Sequence, residues 1–281
     1  MSDYSTELIE HFSGLLIQEG GYTKPDFASG YDAYRPSPPA ALLDVLCLEA
    51  QVERPRLVVD LGSGTGLSTR AWADRADGVV GIEASAEMRA RAEDETSAPN
   101  VRFLQAFAQD TGLPDDAADI VTCSQSLHWM EPEPTFAEVA RILRPGGVFA
   151  AYDYDWPPIC NWEVERAFTE LVRRVGEARK GSGTPPWTGR PRYDKPEHLE
   201  RIQASGRFRY AREIGLHSRE RGNAERIVGM ALSLGPLVVL LERGLTEEDL
   251  GLAQLRETAA RTLGNDEAEW FMSYRVRLAV K

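Results

Sequence analysis

The sequence predicts an α/β fold: a seven-stranded, mostly parallel sheet with an antiparallel last strand and helices on both faces, plus an N-terminal lid and a helical insertion. Three observations predict it. Short β-rich runs alternate with helical patterns from Arg56 onward, the first run enters a turn of three alternating glycines, and two further strand-like runs close the chain.

Residues 1–55 are expected to form the lid and a first helix. They combine an amphipathic stretch (Leu8, Ile9, Phe12, Leu15, Leu16) with aromatic, glycine-containing sequence, and the run Arg35-Pro36-Ser37-Pro38-Pro39 is read as starting a helix through about Leu48. Residues 56–153 are the expected core. Its strands are read at Leu57 to Leu61, Val79 to Glu83, Val101 to Gln105, Ile120 to Cys123 and Val148 to Tyr152. One intervening helix is explicit, because Phe136, Val139, Ala140 and Leu143 follow i, i+3, i+4, i+7 spacing before an Arg144-Pro145-Gly146-Gly147 stop.

The rhythm changes after Asp153. Residues 154–206 read as an acceptor-side insertion: Trp156-Pro157-Pro158, a charged helix near Glu163 to Arg179, and a Gly/Pro/Trp-rich loop from Gly181 to Arg192. Glycines 181, 183 and 189 loosen that loop and Pro185, Pro186 and Pro191 stiffen pieces of it, so with Trp187 and Tyr193 it is expected to act as a lid. Residues 207–281 are expected to complete the sheet, with a strand near Arg207 to His217, a helical segment from Ala224 to about Arg261, and a last strand from Trp270 to Val280.

Composition narrows the function. Hydrophobic residues make up 42% and aromatics 9%, which are globular values. No stretch approaches the roughly 20 apolar residues of a membrane span, and the acidic N-terminus lacks a secretory pattern, so no membrane partner and a cytoplasmic location are expected. Three widely spaced cysteines and four histidines without ligand spacing argue against disulfides and a metal site. A net charge of −12 opposes binding to phosphate backbones, leaving a small molecule as the expected partner. The arginines at 201, 207, 209, 212, 219 and 221 are read as solvated strand and loop faces.

The strongest motif is Val58-Val59-Asp60-Leu61-Gly62-Ser63-Gly64-Thr65-Gly66-Leu67. A buried strand runs into glycines that permit positive φ and close approach of a ligand to the backbone. The third glycine comes one residue too early for a dinucleotide fingerprint, and Leu67 stands where that fingerprint needs Gly or Ala, which disfavours NAD. The second strand ends in Gly81-Ile82-Glu83-Ala84-Ser85, which places the Glu83 carboxylate where it can accept both hydroxyls of a ribose. The alternative for Glu83 is a solvated acid at a helix start capped by Ser85.

Together these segments resemble the class I S-adenosylmethionine-dependent methyltransferases, over about residues 56–153. The resemblance implies a Rossmann-like sheet, S-adenosylmethionine as cofactor, a DxGxGxG turn at the methionine moiety (Asp60, Gly62, Ser63, Gly64, Gly66) and an acid on the ribose. It also implies contacts from Ala84, Met88, Ser124 and Gln125. The segment Gln105-Ala106-Phe107-Ala108-Gln109-Asp110 resembles the adenine side, with Phe107 where many relatives carry aspartate, so Ala108 and Gln109 are the expected adenine contacts and Phe107 either stacks or packs. Tyr31-Asp32-Ala33-Tyr34-Arg35-Pro36 and Ser124-Gln125-Ser126-Leu127-His128-Trp129 look similar to small-molecule methyltransferases related to trans-aconitate methyltransferase.

On that resemblance Tyr31 and Arg35 close over the cofactor, Arg35 pairing with its carboxylate. His128, Trp129, Trp156, Trp187 and Tyr193 are the expected acceptor contacts, and His128 the candidate general base. The plainer readings are a pocket-lining histidine, a helix-entry arginine and core packing for Trp156. The expected reaction is in-line methyl transfer to a small molecule, O-methylation first, with a carboxylate as one such acceptor; C- or N-methylation and non-catalytic cofactor binding are the alternatives. A nicotinamide oxidoreductase is disfavoured by the glycine spacing. A nucleic-acid amino-methyltransferase is disfavoured by Ser124-Gln125-Ser126-Leu127 in place of Asn/Asp-Pro-Pro-aromatic.

Overall fold

Successive strand residues point to opposite faces, and here both faces are buried. Val58, Ile120, Val148 and Tyr152 join one apolar core, whereas Val59, Val121, Phe149 and Ala151 join another. The strands are therefore apolar on both sides, as a sheet covered by helices requires. The computed structural model describes residues 34–181 and 193–281. Tyr31, Trp187, most of the expected N-terminal lid and nearly all of the expected loop lid lie outside the described residues.

The seven strands are β1 (Leu57–Leu61), β2 (Gly78–Ile82), β3 (Val101–Leu104), β4 (Ala118–Ser124), β5 (Leu143–Tyr154), β6 (Tyr210–Gly222) and β7 (Ala268–Val280), in the order β3-β2-β1-β4-β5-β7-β6. Pairings from β3 to β5 are parallel, and β7 runs antiparallel to both β5 and β6. This is the predicted sheet. Its order reverses between β1 and β4, and a crevice at the carboxyl ends of strands at such a switch point is where α/β sheets bind ligands.

On the first face lie α1 (Ala40–Glu49), α5 (Trp162–Gly181), α7 (Ala224–Leu232), α8 (Gly235–Glu242), α9 (Glu247–Leu250) and α10 (Leu252–Thr262), contributing Leu42, Leu46, Phe168, Leu171, Ile227, Leu237, Leu250 and Leu255. On the second lie α4 (Pro132–Ile142) and α6 (His198–Ala204), contributing Phe136, Val139 and Ile202. Two shorter helices, α2 (Leu67–Arg70) and α3 (Ala86–Asp94), follow β1 and β2. Among the described residues no single helix is long and apolar enough to cross a membrane. The bent pair α7–α8 passes that test by length and composition, yet it carries Ile227, Met230, Leu237 and Leu240 into the core.

Several boundaries differ from expectation. The first helix begins at Ala40 rather than within the proline run, because proline disfavours helical backbone in the residue before it, and Pro39 takes the extended N-cap conformation. The Arg144-Pro145-Gly146-Gly147 run, expected as a helix stop, does follow the end of α4 at Ile142, but it lies inside β5 as an irregularity where the β4 register jumps between Ala118 and Ile120. Asp119 occupies that irregularity and accepts from Arg144 Nε at 2.6 Å and from the Arg56 and Leu57 N–H groups at 2.7 and 3.2 Å. The expected helix from Ala224 to Arg261 is four helices, broken at Ser233–Leu234, Gly244 and Gly251, the two glycines having φ of +94° and +81°. Finally, the strand expected over Arg207 to His217 is shifted to Tyr210–Gly222, in full register with β7.

Candidate active site

The glycine turn is built by backbone bonds to its neighbour strand. Gly62 and Ser63 N–H groups donate to the Ile82 carbonyl at 2.8 and 3.1 Å, and Gly62, Gly64 and Gly66 have φ of +65°, +57° and +85°. At Gly64 an added Cβ would meet only Met88 Cε, at 3.6 Å, so the space above this glycine is open. A cavity of about 580 Å³ begins there. It runs along Glu83, Ala84 and Met88 to Phe107, Ala108 and Gln109 at one end, and past Ser124 and Gln125 to Arg35, Trp129 and Tyr193 at the other.

Glu83 stands one residue beyond β2, half-buried, with each carboxylate oxygen held by backbone: Oε2 accepts from Gly64 N–H and Oε1 from Ser85 N–H, both at 2.8 Å. Burial pushes its carboxyl above the usual glutamate range, while the N–H groups of Ser85, Gly64 and Ala84 pull it part of the way back. Ser85 caps α3, its Oγ accepting from Met88 N–H at 3.3 Å. The carboxylate is thus fixed on the cavity wall and is not a solvated helix-start acid.

Several expected residues lie elsewhere. Asp60 is fully buried and does not line the cavity; Ser68 Oγ and Thr69 Oγ1 donate to its Oδ2 at 2.6 and 2.7 Å, and Thr122 Oγ1 to its Oδ1 at 2.8 Å. It ties the start of α2 and strand β4 to the end of β1. Gly66 is also outside the lining, because its α-carbon lies against the Phe103 ring and Ala92, where a Cβ would stand 2.8 and 3.2 Å from them. His128 is 5% exposed, tilted against Trp129 with ring centroids 4.8 Å apart, and is not in the cavity wall. Trp156 stacks on Phe168 at 5.5 Å and meets Tyr154 edge-on, so it belongs to the core rather than to an acceptor pocket.

Arg35 does reach the cavity, and each of its three nitrogens makes a hydrogen bond to the protein. Nε and Nη2 donate to Ser233 Oγ and O at 2.9 and 2.7 Å, Nη1 bonds the Tyr154 hydroxyl, and the guanidinium lies over the Tyr154 and Trp156 rings. Tyr193 is pinned to the wall by its N–H to the His128 carbonyl at 3.0 Å and by Arg201 over its ring. Sequence reasoning missed Pro36, Pro38, Ser126, Met130, Glu131 and Tyr154, which also line the cavity. Tyr154 was invisible because β5 extends two residues past its expected end; Met130 and Glu131 carry no signal beyond adjacency to Trp129.

The region from Val59 to Ala151 matches the family model described as a methyltransferase domain. An uncharacterized methyltransferase of Mycobacterium tuberculosis is 32% identical over 180 residues, which are 63% of this chain and 67% of the relative. The chain belongs to the methyltransferases. This methyltransferase is an S-adenosylmethionine-dependent enzyme, and its fold is shared with solved structures. One, assigned as a type II methyltransferase of Anaeromyxobacter dehalogenans, superposes with a TM-score of 0.63 at 22% identity over 88% of this chain and 97% of that one. Another, a phosphoethanolamine N-methyltransferase of Haemonchus contortus in complex with phosphomonomethylethanolamine and S-adenosylhomocysteine, gives 0.54 at 15% identity over 95% and 59%.

The open face of Gly64 and the fixed Glu83 carboxylate fit that cofactor. A nucleoside needs a hydrogen-bond acceptor for its hydroxyls and a backbone that it can approach closely, and both stand on the same cavity wall.

Proposed function

We propose that this methyltransferase methylates a small molecule at an oxygen, a carboxylate oxygen first, with the cofactor over the glycine turn and the acceptor at the Arg35–Trp129–Tyr193 end. The observation that carries the reading is the single cavity joining the two ends, whose volume of about 580 Å³ lies within the range of small-molecule sites. S-adenosylmethionine supplies a methyl group on a positively charged sulfur, already activated for displacement. The protein's part is then to align, to exclude water and, for some acceptors, to take a proton.

In the proposed arrangement Phe107, Ala108 and Gln109 take the adenine, Glu83 the ribose, and Gly62 to Gly64 with Ser124 and Gln125 the amino-acid end. Arg35 supplies positive charge for an anionic acceptor, oriented by Ser233 and Tyr154. Trp129 and Tyr193 supply apolar surface. The position of His128 behind the wall supports an acceptor that needs no base, because a carboxylate is already ionised at neutral pH. The resemblance to the trans-aconitate methyltransferase branch points the same way. The surface arginines support a small acceptor over a nucleic acid: Arg201, Arg207, Arg212, Arg219 and Arg221 each pair with a glutamate.

A second reading, methylation of an amine, rests on Glu131, a carboxylate in the same lining that would pair with an ammonium. One experiment separates them. The protein is incubated with S-adenosylmethionine and a panel of small organic acids, phenols and amines, with trans-aconitate among the acids, and products are followed by mass spectrometry. A methylated acid whose added methyl is released by alkali supports the first reading; an alkali-resistant methylated amine supports the second. Turnover of neither class overturns both.

A further inference from the structure

Gln125 follows β4 with a backbone φ of +52°, a left-handed conformation that a residue with a side chain adopts only when its surroundings hold it there. It is held there by its N–H, which donates to the Tyr152 carbonyl at 3.0 Å, and its side chain lines the cavity. The far end of that side chain meets Lys195, whose Nζ donates to Gln125 Oε1 at 2.5 Å across a separation of 70 residues. An ammonium has N–H donors and no lone pair, so only the carbonyl oxygen of the amide can face it. The Gln125 nitrogen is therefore turned away from Lys195, and its contact with the Tyr154 carbonyl is long, at 3.4 Å. At least one N–H of that amide is left for the cavity.

Lys195 is itself held. Its Nζ lies 2.7 Å from Asp153 Oδ1, and Asp153 Oδ2 accepts from Arg277 Nη1 at 2.8 Å. Asp153 and Arg277 are 6% and 2% exposed, and Arg277 Nε lies 2.7 Å from Glu213 Oε2. Asp153 and Arg277, the two most buried of these charges, thus each have an opposite charge within reach, as buried charges require, and the chain of pairs continues through Glu213 to Arg275 at 3.8 Å. Removing Lys195 would still leave Asp153 paired with Arg277.

The cavity residues follow the order of the sheet: Phe107 to Gln109 beyond β3, Glu83 beyond β2, the glycine turn beyond β1 and Gln125 beyond β4. A ligand with its ribose at Glu83 and its adenine toward β3 brings its amino-acid end to Gln125. We infer that Lys195 is a positioning residue for the cofactor: by taking Gln125 Oε1 it turns the Gln125 N–H toward the carboxylate of the bound amino-acid moiety. The inference rests on the proposed reading of the cavity as the cofactor site. Lys195 acts only through Gln125.

S-adenosylhomocysteine and 5′-methylthioadenosine, which shares the nucleoside but lacks the amino acid, separate this role from a general structural one. By isothermal titration, Lys195→Met is expected to lose roughly tenfold or more in affinity for the first, as a hydrogen bond to a charged group implies, with unchanged affinity for the second. Lys195→Arg, which still offers only donors, should restore most of it. Gln125→Glu, which keeps an acceptor for Lys195 but carries no N–H, should show the same selective loss in a folded protein. Equal weakening of both ligands, no weakening of either, or wild-type binding of S-adenosylhomocysteine by Gln125→Glu would overturn the role of Lys195. If the wild-type protein bound neither ligand, the cofactor reading of the cavity would be wrong and the inference would fall with it.

Discussion

Glu83 Oε2 accepts the backbone N–H of Gly64 at 2.8 Å, so the acid after β2 and the open glycine after β1 form one unit of the cavity wall. The bond closes the turn from the side of the neighbouring strand, and the Ser85 N–H on Oε1 completes the grip. The carboxylate holds the turn, and in the proposed function it also presents lone pairs to the ribose.

Replacing Glu83 with alanine is expected to weaken binding of S-adenosylhomocysteine by about 1.5–3 kcal/mol per lost charge-assisted bond. It should also loosen the ligand-free turn, so the variant's melting temperature should fall modestly. Isothermal titration of the folded variant decides the matter. Wild-type affinity would remove Glu83 from the site.

Acid should act through the same group. Burial raises the Glu83 carboxyl, so on acidification it takes up a proton at a higher pH than an ordinary glutamate and can no longer accept both ribose hydroxyls. Affinity for S-adenosylhomocysteine should therefore fall on acidification, starting at a higher pH than the protonation of an ordinary glutamate would give. The Glu83→Gln variant, weaker at neutral pH, should lack that acid limb; a limb of unchanged size in the variant would assign it to another group.

Gly64→Val should abolish stabilisation of the protein by cofactor. The valine side chain would enter the open space beside Met88 Cε and would have to hold a φ of +57°, which a β-branched residue resists. Thermal shift with and without S-adenosylhomocysteine measures this directly. A wild-type shift would make the turn a purely structural feature.

Asp119 is a stability residue remote from the cavity. Burial raises its carboxyl, but Arg144 and the Leu57 and Arg56 N–H groups outweigh burial and hold it below the usual range. Its stabilisation is therefore present above the unfolded value of about 3.9 and is lost as pH falls through the lower folded value. Asp119→Ala should cost about 3 kcal/mol in urea unfolding at neutral pH, since it leaves Arg144 and two backbone donors without this acceptor. A loss under about 0.5 kcal/mol, the range of ordinary surface changes, would show that the register irregularity holds without it.

His198 is 2% exposed and its Nε2 has no hydrogen-bond partner among the described residues. Burial lowers its pKa to about 4, against a pull upward from Asp153. The unfolded chain therefore binds a proton between about pH 6.5 and pH 4 that the folded chain refuses, and stability falls with pH across that window by up to on the order of 3 kcal/mol. Denaturant unfolding of wild type and His198→Gln at neutral pH and near pH 4.5 tests this. The variant should lose less stability on acidification, and parallel losses would refute it.

The elements legible in the sequence are those whose information is local. Short, continuous apolar β-rich runs placed the strands, and positive-φ chemistry placed the glycine turn between Leu61 and Leu67 with Glu83 on the next strand tip. Boundaries moved where a contact distant in sequence decided them. β5 continues to Tyr154 because β7 pairs with it as far as Tyr274, more than a hundred residues on.

Which of the motif residues face the cavity was decided by tertiary structure alone. Asp60 and Gly66 belong to the motif as surely as Gly64, yet Asp60 turns inward to three hydroxyls and Gly66 lies against Phe103. His128 and Trp156 carry chemistry suited to an acceptor pocket, but the fold sets one behind Trp129 and stacks the other on Phe168. Arg35 met Ser233, and Lys195 met Gln125 and Asp153, across separations that no local pattern reports. The sequence by itself determined the sheet and the glycine turn, because backbone conformation and short apolar runs are written in neighbouring residues. The cavity wall depended on side-chain direction and long-range pairing, which exist only once the strands are laid side by side.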